Sequence, residues 1–203
     1  MHTRFMRPST ADDARDLARL TSDGLLRRVV GDVHVSLLEP DDREVRAAAA
    51  AVLLPPRLLA AGAAVYGPDA VWLHAGGDPP ERLHVALPVR RGRAGTDLVV
   101  VHEARLPAGD VETVAGVTVT VPARAAADVA RGLPPAQALP LLGRLAAAVD
   151  LDPRDVLVHL ERLSGCRGVE AARSTVLGWA TGLESARRAP GDRRAGALVA
   201  APP

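Results

Sequence analysis

The sequence predicts an α+β fold: a small, incomplete winged helix-turn-helix segment, then a larger mixed domain with two β-hairpins and about five helices. Three observations carry this reading. The stretch GLLRRVVGDVHV (residues 24–35) sets two valine-rich runs either side of Gly31-Asp32, a two-residue hairpin signal, directly behind a segment with helical capping. Two further pairs of β-rich runs occur, residues 82–88 with 97–103 and residues 111–114 with 117–121. From residue 122 onward the apolar positions recur with the helical period.

The elements follow in order. Thr10, with Asp13 three residues on, fits a capping box for a helix over residues 11–22, where Leu17 and Leu20 form a thin apolar stripe. Strands are expected at residues 25–30 and 33–37, and the polar EPDDRE with Pro40 marks a module boundary. REVRAAAAAVLL has strong helix propensity and stops at Pro55-Pro56. Residues 68–74 read as a short helix closed by Gly76-Gly77. If the runs 82–88 and 97–103 pair antiparallel about the loop VRRGRAG, His84 lies opposite Val101 and His102 falls on the other face. The next hairpin turns at Ala115-Gly116, and Pro122 opens a helix over residues 123–131. Pro140 fits a first turn, so the following helix is read from near Leu139 to Val149, with Leu141, Leu142, Leu145 and Val149 on one face. Asp152 and Pro153 start a helix bearing Val156, Leu160 and Leu163, and residues 169–179 place Val169, Ala172, Val176 and Trp179 at the same spacing. Beyond Trp179 the periodicity is lost. The division is thus 1–38 partial winged-helix segment, 39–180 larger domain and 181–203 low-complexity tail.

Composition narrows the function classes. No window of 18 apolar residues exists, and MHTRFMRPST lacks the apolar core of a signal peptide, so a cytoplasmic protein without membrane association is expected. A lone Cys166 excludes an internal disulfide framework and a cysteine-based zinc cluster. All 25 basic residues are Arg, and Lys, Ile and Asn are absent; their AT-rich codons make this a signature of a GC-rich genome rather than of function. Valine, leucine and alanine must therefore build the core. Aromatics at 2% exclude base-stacking platforms, and a net charge of +1 is no footprint of a strong nucleic-acid binder.

The candidate DNA contacts are Arg15 and Arg19, four apart on one helix face, with Arg27 and Arg28 on the wing. Asp12, Asp13, Asp16 and Asp23 share the segment. Over residues 1–38, six Arg meet five Asp, a net of +1, so a solvated helix laced with Asp–Arg pairs is the competing reading. Arg90, Arg91 and Arg93 are the most concentrated positive charge, a grip for DNA or an acidic partner, or else a solvated hairpin tip. Arg124 and Asp128 read as a helical ion pair with a structural role, worth about 0.3–0.5 kcal/mol if exposed. His84 and His102, with Glu103, lack a third ligand at characteristic spacing, so neither a metal nor a cofactor is expected. His74 reads as a helix-end residue bonding a backbone group. The serines lack an elbow motif, GCRG around Cys166 lies in a helix–helix turn, and no glycine-rich phosphate loop follows a strand; no catalytic residue is assigned.

Taken in order, these pieces resemble the AbiEi-type antitoxins of type IV toxin–antitoxin systems and the lone actinobacterial regulators related to them. Residues 24–35 are similar to the family's wing. Ala70, Leu73 and His74 match its A-x-x-L-H-G helix, with Ala75 for the glycine. LHVALP followed by RRGR looks like its V-H-V-x-V-P strand and arginine-rich loop. VTVTVPARAAADVAR is similar to V-x-V-T-S-P-A-R-T-x-x-D-x-A, and Asp152-Pro153 and Leu183-Glu184-Ser185 fall where relatives carry D-P and L-E-S. There are departures. Only MHTRFMRPS precedes the recognition helix, Val121 replaces a capping serine at a loss of about 1 kcal/mol, and no Vsr-like nuclease follows L-E-S.

The resemblance implies a non-enzymatic DNA-binding regulator or antitoxin. Its winged helix would bind its own promoter, its larger domain would oppose a nucleotidyltransferase toxin, and Arg124–Asp128 would help organise that domain. The alternative is a protein-interaction module whose winged helix has decayed and binds no DNA.

Overall fold

The computed structural model describes residues 4–88 and 95–188. Arg90, Arg91 and Arg93 therefore lie outside the described residues. The expected α+β architecture is present: a two-stranded N-terminal hairpin and a five-stranded sheet, with eight helices among the described residues.

Helix α1 (Ala11–Ser22) carries the expected capping box, with Thr10 accepting from the Asp13 amide and Asp13 from the Thr10 amide. The Ser9 hydroxyl also donates to Asp13, which holds that carboxyl below its ordinary pKa. Strands β1 (Leu26–Val30) and β2 (Val33–Ser36) pair antiparallel about Gly31-Asp32, and Gly31 takes φ +54°, a conformation glycine adopts without a Cβ clash. Met6 adds a third extended residue by exchanging two 2.8 Å backbone bonds with His34. Val29, Val30, Val33 and Val35 are buried in the same apolar cluster as Ala47, Ala50 and Leu53 of α2 (Arg43–Leu53).

The five-stranded sheet has the order β5-β4-β3-β7-β6. Its strands are β3 (Ala64–Val65), β4 (Leu83–Leu87), β5 (Val99–Glu103), β6 (Val111–Val114) and β7 (Val117–Thr120). The β6–β7 hairpin turns where expected, with Ala115 at φ 45° and Gly116 at φ 82°. The pairing of β4 with β5 departs from expectation: it is parallel, with Ala86 opposite His102 and His84 opposite Val100. A tight turn between Thr96 and Val99, closed by backbone bonds of 2.9 and 3.2 Å, reverses the chain just before β5. His84 and His102 consequently share a face, their ring centroids 5.4 Å apart. Among the described residues the five-stranded sheet thus holds one hairpin, β6–β7, rather than two.

Its helices also outnumber the expectation. α3 (Pro56–Ala60) starts on a proline that reads as a stop, since proline is equally suited to a first helical turn. α4 (Pro68–Ala75) and α5 (Pro122–Gly132) agree with the sequence to within two residues at either end. α6 (Pro135–Ala148) begins four residues before Leu139 and carries Pro140 inside. Pro140 and Ala136 are both exposed, so the carbonyl that loses its amide partner faces water. Ala138, Leu142 and Leu145 form the buried face. α7 (Pro153–Arg162) is capped by Asp152 through the Arg154 amide, and α8 runs from Val169 to Arg188, past the expected end at Trp179. Leu183, four residues after Trp179, packs against the core and carries the apolar face one turn further, while the hydroxyls of Thr181 and Ser185 donate to carbonyls four residues back on the exposed side. α5 is the hub of the helical layer, packing against α4, α6, α7 and α8. No helix among the described residues is long and apolar enough to cross a membrane.

Candidate functional site

The four candidate DNA-contacting arginines fall into two pairs with different surroundings. Arg15 and Arg19 project from α1 into solvent, with side chains 77% and 71% exposed. Each has an aspartate three residues back, Asp12 at 2.8 Å and Asp16 at 4.0 Å. Arg27 and Arg28 are half-buried and turned toward the protein. Arg27 donates to the Pro40 carbonyl at 2.8 Å and lies 3.6 Å from Asp41, whose carboxylate also accepts from the buried Arg46 at 2.9 Å. Arg28 donates to the carbonyls of Pro79 and Pro80, at 3.2 and 3.3 Å.

The hairpin tip is seated rather than projecting. The Gly31 amide donates to the Pro80 carbonyl at 2.9 Å, and Arg7 clasps Asp32 through two bonds of 2.7 and 3.0 Å. A Cβ on Gly31 would meet Leu53 Cδ1 at 3.0 Å.

Arg124 and Asp128 are brought together as expected, but in the interior rather than at the surface, 3% and 5% exposed. Arg124 Nε donates to Asp128 Oδ2 at 3.0 Å, and its Nη1 donates to Asp110 Oδ2. Asp110, 1% exposed, sits in the short 3-10 turn ahead of β6. Its other oxygen accepts from Arg162 at 3.2 Å, and His159 Nδ1 of α7 lies 3.3 Å from it. The pair is therefore the centre of a buried cluster that fastens α5, α7 and the β6 turn to one another. Burial raises the Asp128 pKa against the pull of Arg124, and lowers that of His159 against the pull of Asp110. Two charges out of water make each partner costly to lose, a different regime from the exposed pair that the spacing suggested. No local pattern marks Asp110, whose partner Arg124 lies 14 residues away on another element.

The other histidines are also placed. His74, at the end of α4, donates from Nε2 to the Thr120 carbonyl at 2.7 Å, in agreement with its reading as a helix-end residue. Burial lowers its pKa. His84 Nδ1 lies 3.0 Å from Asp69 Oδ2, which also accepts the His84 amide at 2.6 Å, and the hydrogen bond to Asp69 raises the imidazole pKa. Among the described residues no three His, Cys, Asp or Glu side chains are arranged to hold a metal.

A cavity of about 310 Å³ opens where the β3–α4 turn, the two strands β4 and β5, and the end of α5 meet, lined by Tyr66, His84, His102, Asp128, Arg131 and Leu133 among others. A larger groove of about 530 Å³ lies between the start of α7 and α8, but its charged residues, Asp150, Asp152, Arg154 and Glu184, are all exposed. The smaller cavity is the one that reaches the buried charge cluster.

The fold and this cluster define a mixed α+β domain in which α5, opened by Pro122 and carrying Arg124 and Asp128, is the organising helix. A family model described as the AbiEi antitoxin C-terminal domain matches residues 61–177, more than half of the chain, and the chain belongs to that family. The match spans β3 to α8 and so includes the cavity and all members of the cluster, whereas α1 and the β1–β2 hairpin precede it. No curated protein matches the chain. Membership places it among antitoxin-type proteins.

Proposed function

We propose that this chain is a non-enzymatic, cytoplasmic regulator of the antitoxin type that contacts DNA of its own promoter through α1. The larger domain would be the part that opposes a nucleotidyltransferase toxin. The observation that carries the DNA reading is the outward face of α1, where Arg15 and Arg19 stand in solvent beside a hairpin anchored on the body. The order of α1 and then the β1–β2 hairpin, with Met6 bridged to His34, supports this reading as a helix followed by a wing. In this reading Arg15 and Arg19 meet phosphates, while Arg27 and Arg28 fix the hairpin that presents α1. Two phosphate contacts give a log–log salt slope of about −2 per chain. Titration of the protein against its upstream DNA over a salt series tests this. The expected result is weak binding whose slope flattens by about 2 in the Arg15→Ala, Arg19→Ala double variant. An unchanged slope in that variant refutes the role of α1.

A second reading has a specific observation in its favour. The seated hairpin tip and the engagement of Arg27 and Arg28 with carbonyls leave no wing charge directed outward, as suits an interaction module that binds no DNA. Absence of DNA binding even at low salt, with a toxin partner still captured, selects this one.

A further inference from the structure

We infer that the cavity beside α5 is a binding site for a small planar heterocycle of the nucleobase class, a ligand separate from the DNA and toxin of the proposal above. Three rings are among its lining residues: Tyr66 and His102 have centroids 5.2 Å apart and are tilted by 59°, and His102 and His84 are 5.4 Å apart and tilted by 44°. Aromatic and imidazole rings clustered in this way favour a flat, polarisable guest packed against them, and Leu133 adds an apolar contact.

The polar groups select what the edge of that guest must carry. Asp128 is 5% exposed, and Arg124 holds its Oδ2 at 3.0 Å, while its Oδ1 has no hydrogen-bond partner. The guanidinium of Arg131 stops 3.9 Å from that oxygen, beyond hydrogen-bond reach, and Arg131 Nε is likewise buried without a partner. A buried acceptor and a buried donor thus lack hydrogen-bond partners on neighbouring residues of α5; both atoms are closed to water, so a guest offering an N–H next to a ring nitrogen or carbonyl would relieve them by displacing the 30% exposed Arg131 side chain. That adjacent donor and acceptor pair is the edge every nucleobase presents.

Charge argues against a simple anion site. Asp128 and Asp69 offset Arg131 and the His84 imidazole, so the cavity has no net positive surplus to hold phosphate alone. Its volume of about 310 Å³ lies at the small end of ligand sites, suited to a base or nucleoside rather than a strand.

The test is calorimetric titration of the full chain with adenosine, guanosine, cytidine and uridine in turn, with inorganic phosphate and a single-stranded oligonucleotide as further arms. Leu133→Trp fills the cavity and leaves the charged residues in place, and His84→Ala removes part of the ring cluster together with the side-chain bond to Asp69, whose carboxylate keeps the His84 amide, so the fold of each variant is checked by circular dichroism first. One-to-one binding of at least one nucleoside is expected, weakened tenfold or more in both variants, with no response to phosphate. If Leu133→Trp does not fold, the tenfold loss in His84→Ala alone decides. Failure of every nucleoside to bind, equal binding by the variants, binding of phosphate alone, or binding of the oligonucleotide alone each overturns the inference.

Discussion

Two helices of this protein carry arginine–aspartate pairs at helical spacing, and they use them in opposite ways. On α1, Arg15 with Asp12 and Arg19 with Asp16 are more than 70% exposed on both sides. On α5, Arg124 and Asp128 have side chains only 4% and 2% exposed, and Asp110 closes the group from another element. Water screens the first set, so its charges remain available to a partner and contribute little to folding. The second set is withdrawn from water, so its charges are committed to holding the domain together and each member depends on the others. Helical spacing, three residues on α1 and four on α5, therefore gives a surface in one place and a keystone in the other, and burial makes the difference.

The contrast is broken most severely by removing Arg124. Arg124→Ala leaves Asp128 buried without its hydrogen-bonded cation and Asp110 with Arg162 alone, and should cost about 3–5 kcal/mol in denaturant unfolding. A loss below about 1 kcal/mol would mean that the cluster is not a keystone.

The hairpin lies between the two extremes. Gly31→Ala meets Leu53 at 3.0 Å and imposes φ +54° on a residue with a Cβ, for an expected loss of about 1–2 kcal/mol. Arg28→Ala removes bonds to Pro79 and Pro80 and should cost about 1 kcal/mol, with faster amide exchange confined to β1 and β2. Exchange that accelerates uniformly over the chain in the Arg28 variant would contradict a locally anchored hairpin.

Acidification sharpens the interior half of the comparison. The folded pKa values of His74 and His159 are depressed by burial below the ordinary value near 6.5, so between the two the unfolded chain binds more protons. Their contribution is present above about pH 6.5 and is lost as pH falls through the folded values. His84 acts oppositely: its raised pKa gives stability present below the ordinary value and lost as pH rises through the folded one. Thermal melts from pH 7.5 to 5 should show a net fall for the wild type, smaller in His74→Gln. The same fall in both would exclude His74 as a source.

The smallest effect belongs to α1. Arg15→Ala with Arg19→Ala should change stability by no more than about 0.5 kcal/mol, because both pairs are solvated. A larger loss in chemical denaturation would show that these arginines serve the fold and not a partner.

Much of the local structure was legible from residues close in sequence. The Thr10–Asp13 box, the Gly31-Asp32 turn, the Ala115-Gly116 turn and the Pro122 helix start all depend on contacts within four residues, and the chain alone specifies them. The candidate site was legible only in half. Arg124 and Asp128 declare themselves by i, i+4 spacing, while Asp110 joins from 14 residues away and Asp69 reaches His84 across 15. A two-residue strand such as β3 is too short to show any period.

The sequence by itself determined the α+β class and the turns and helix starts marked by caps, glycine pairs or a first-turn proline such as Pro122 and Pro153, because these follow from backbone propensity, capping and apolar patterning; the starts of α3 and α6 were not among them. Only the tertiary structure decided that β5 runs parallel to β4, which sets His84 and His102 on one face. It also decided that Arg28 bonds to a carbonyl 52 residues away instead of facing outward, and that the Arg124–Asp128 pair is buried. Strand direction and the burial of a charge depend on which distant surfaces pack together, and no local rule of spacing contains that information.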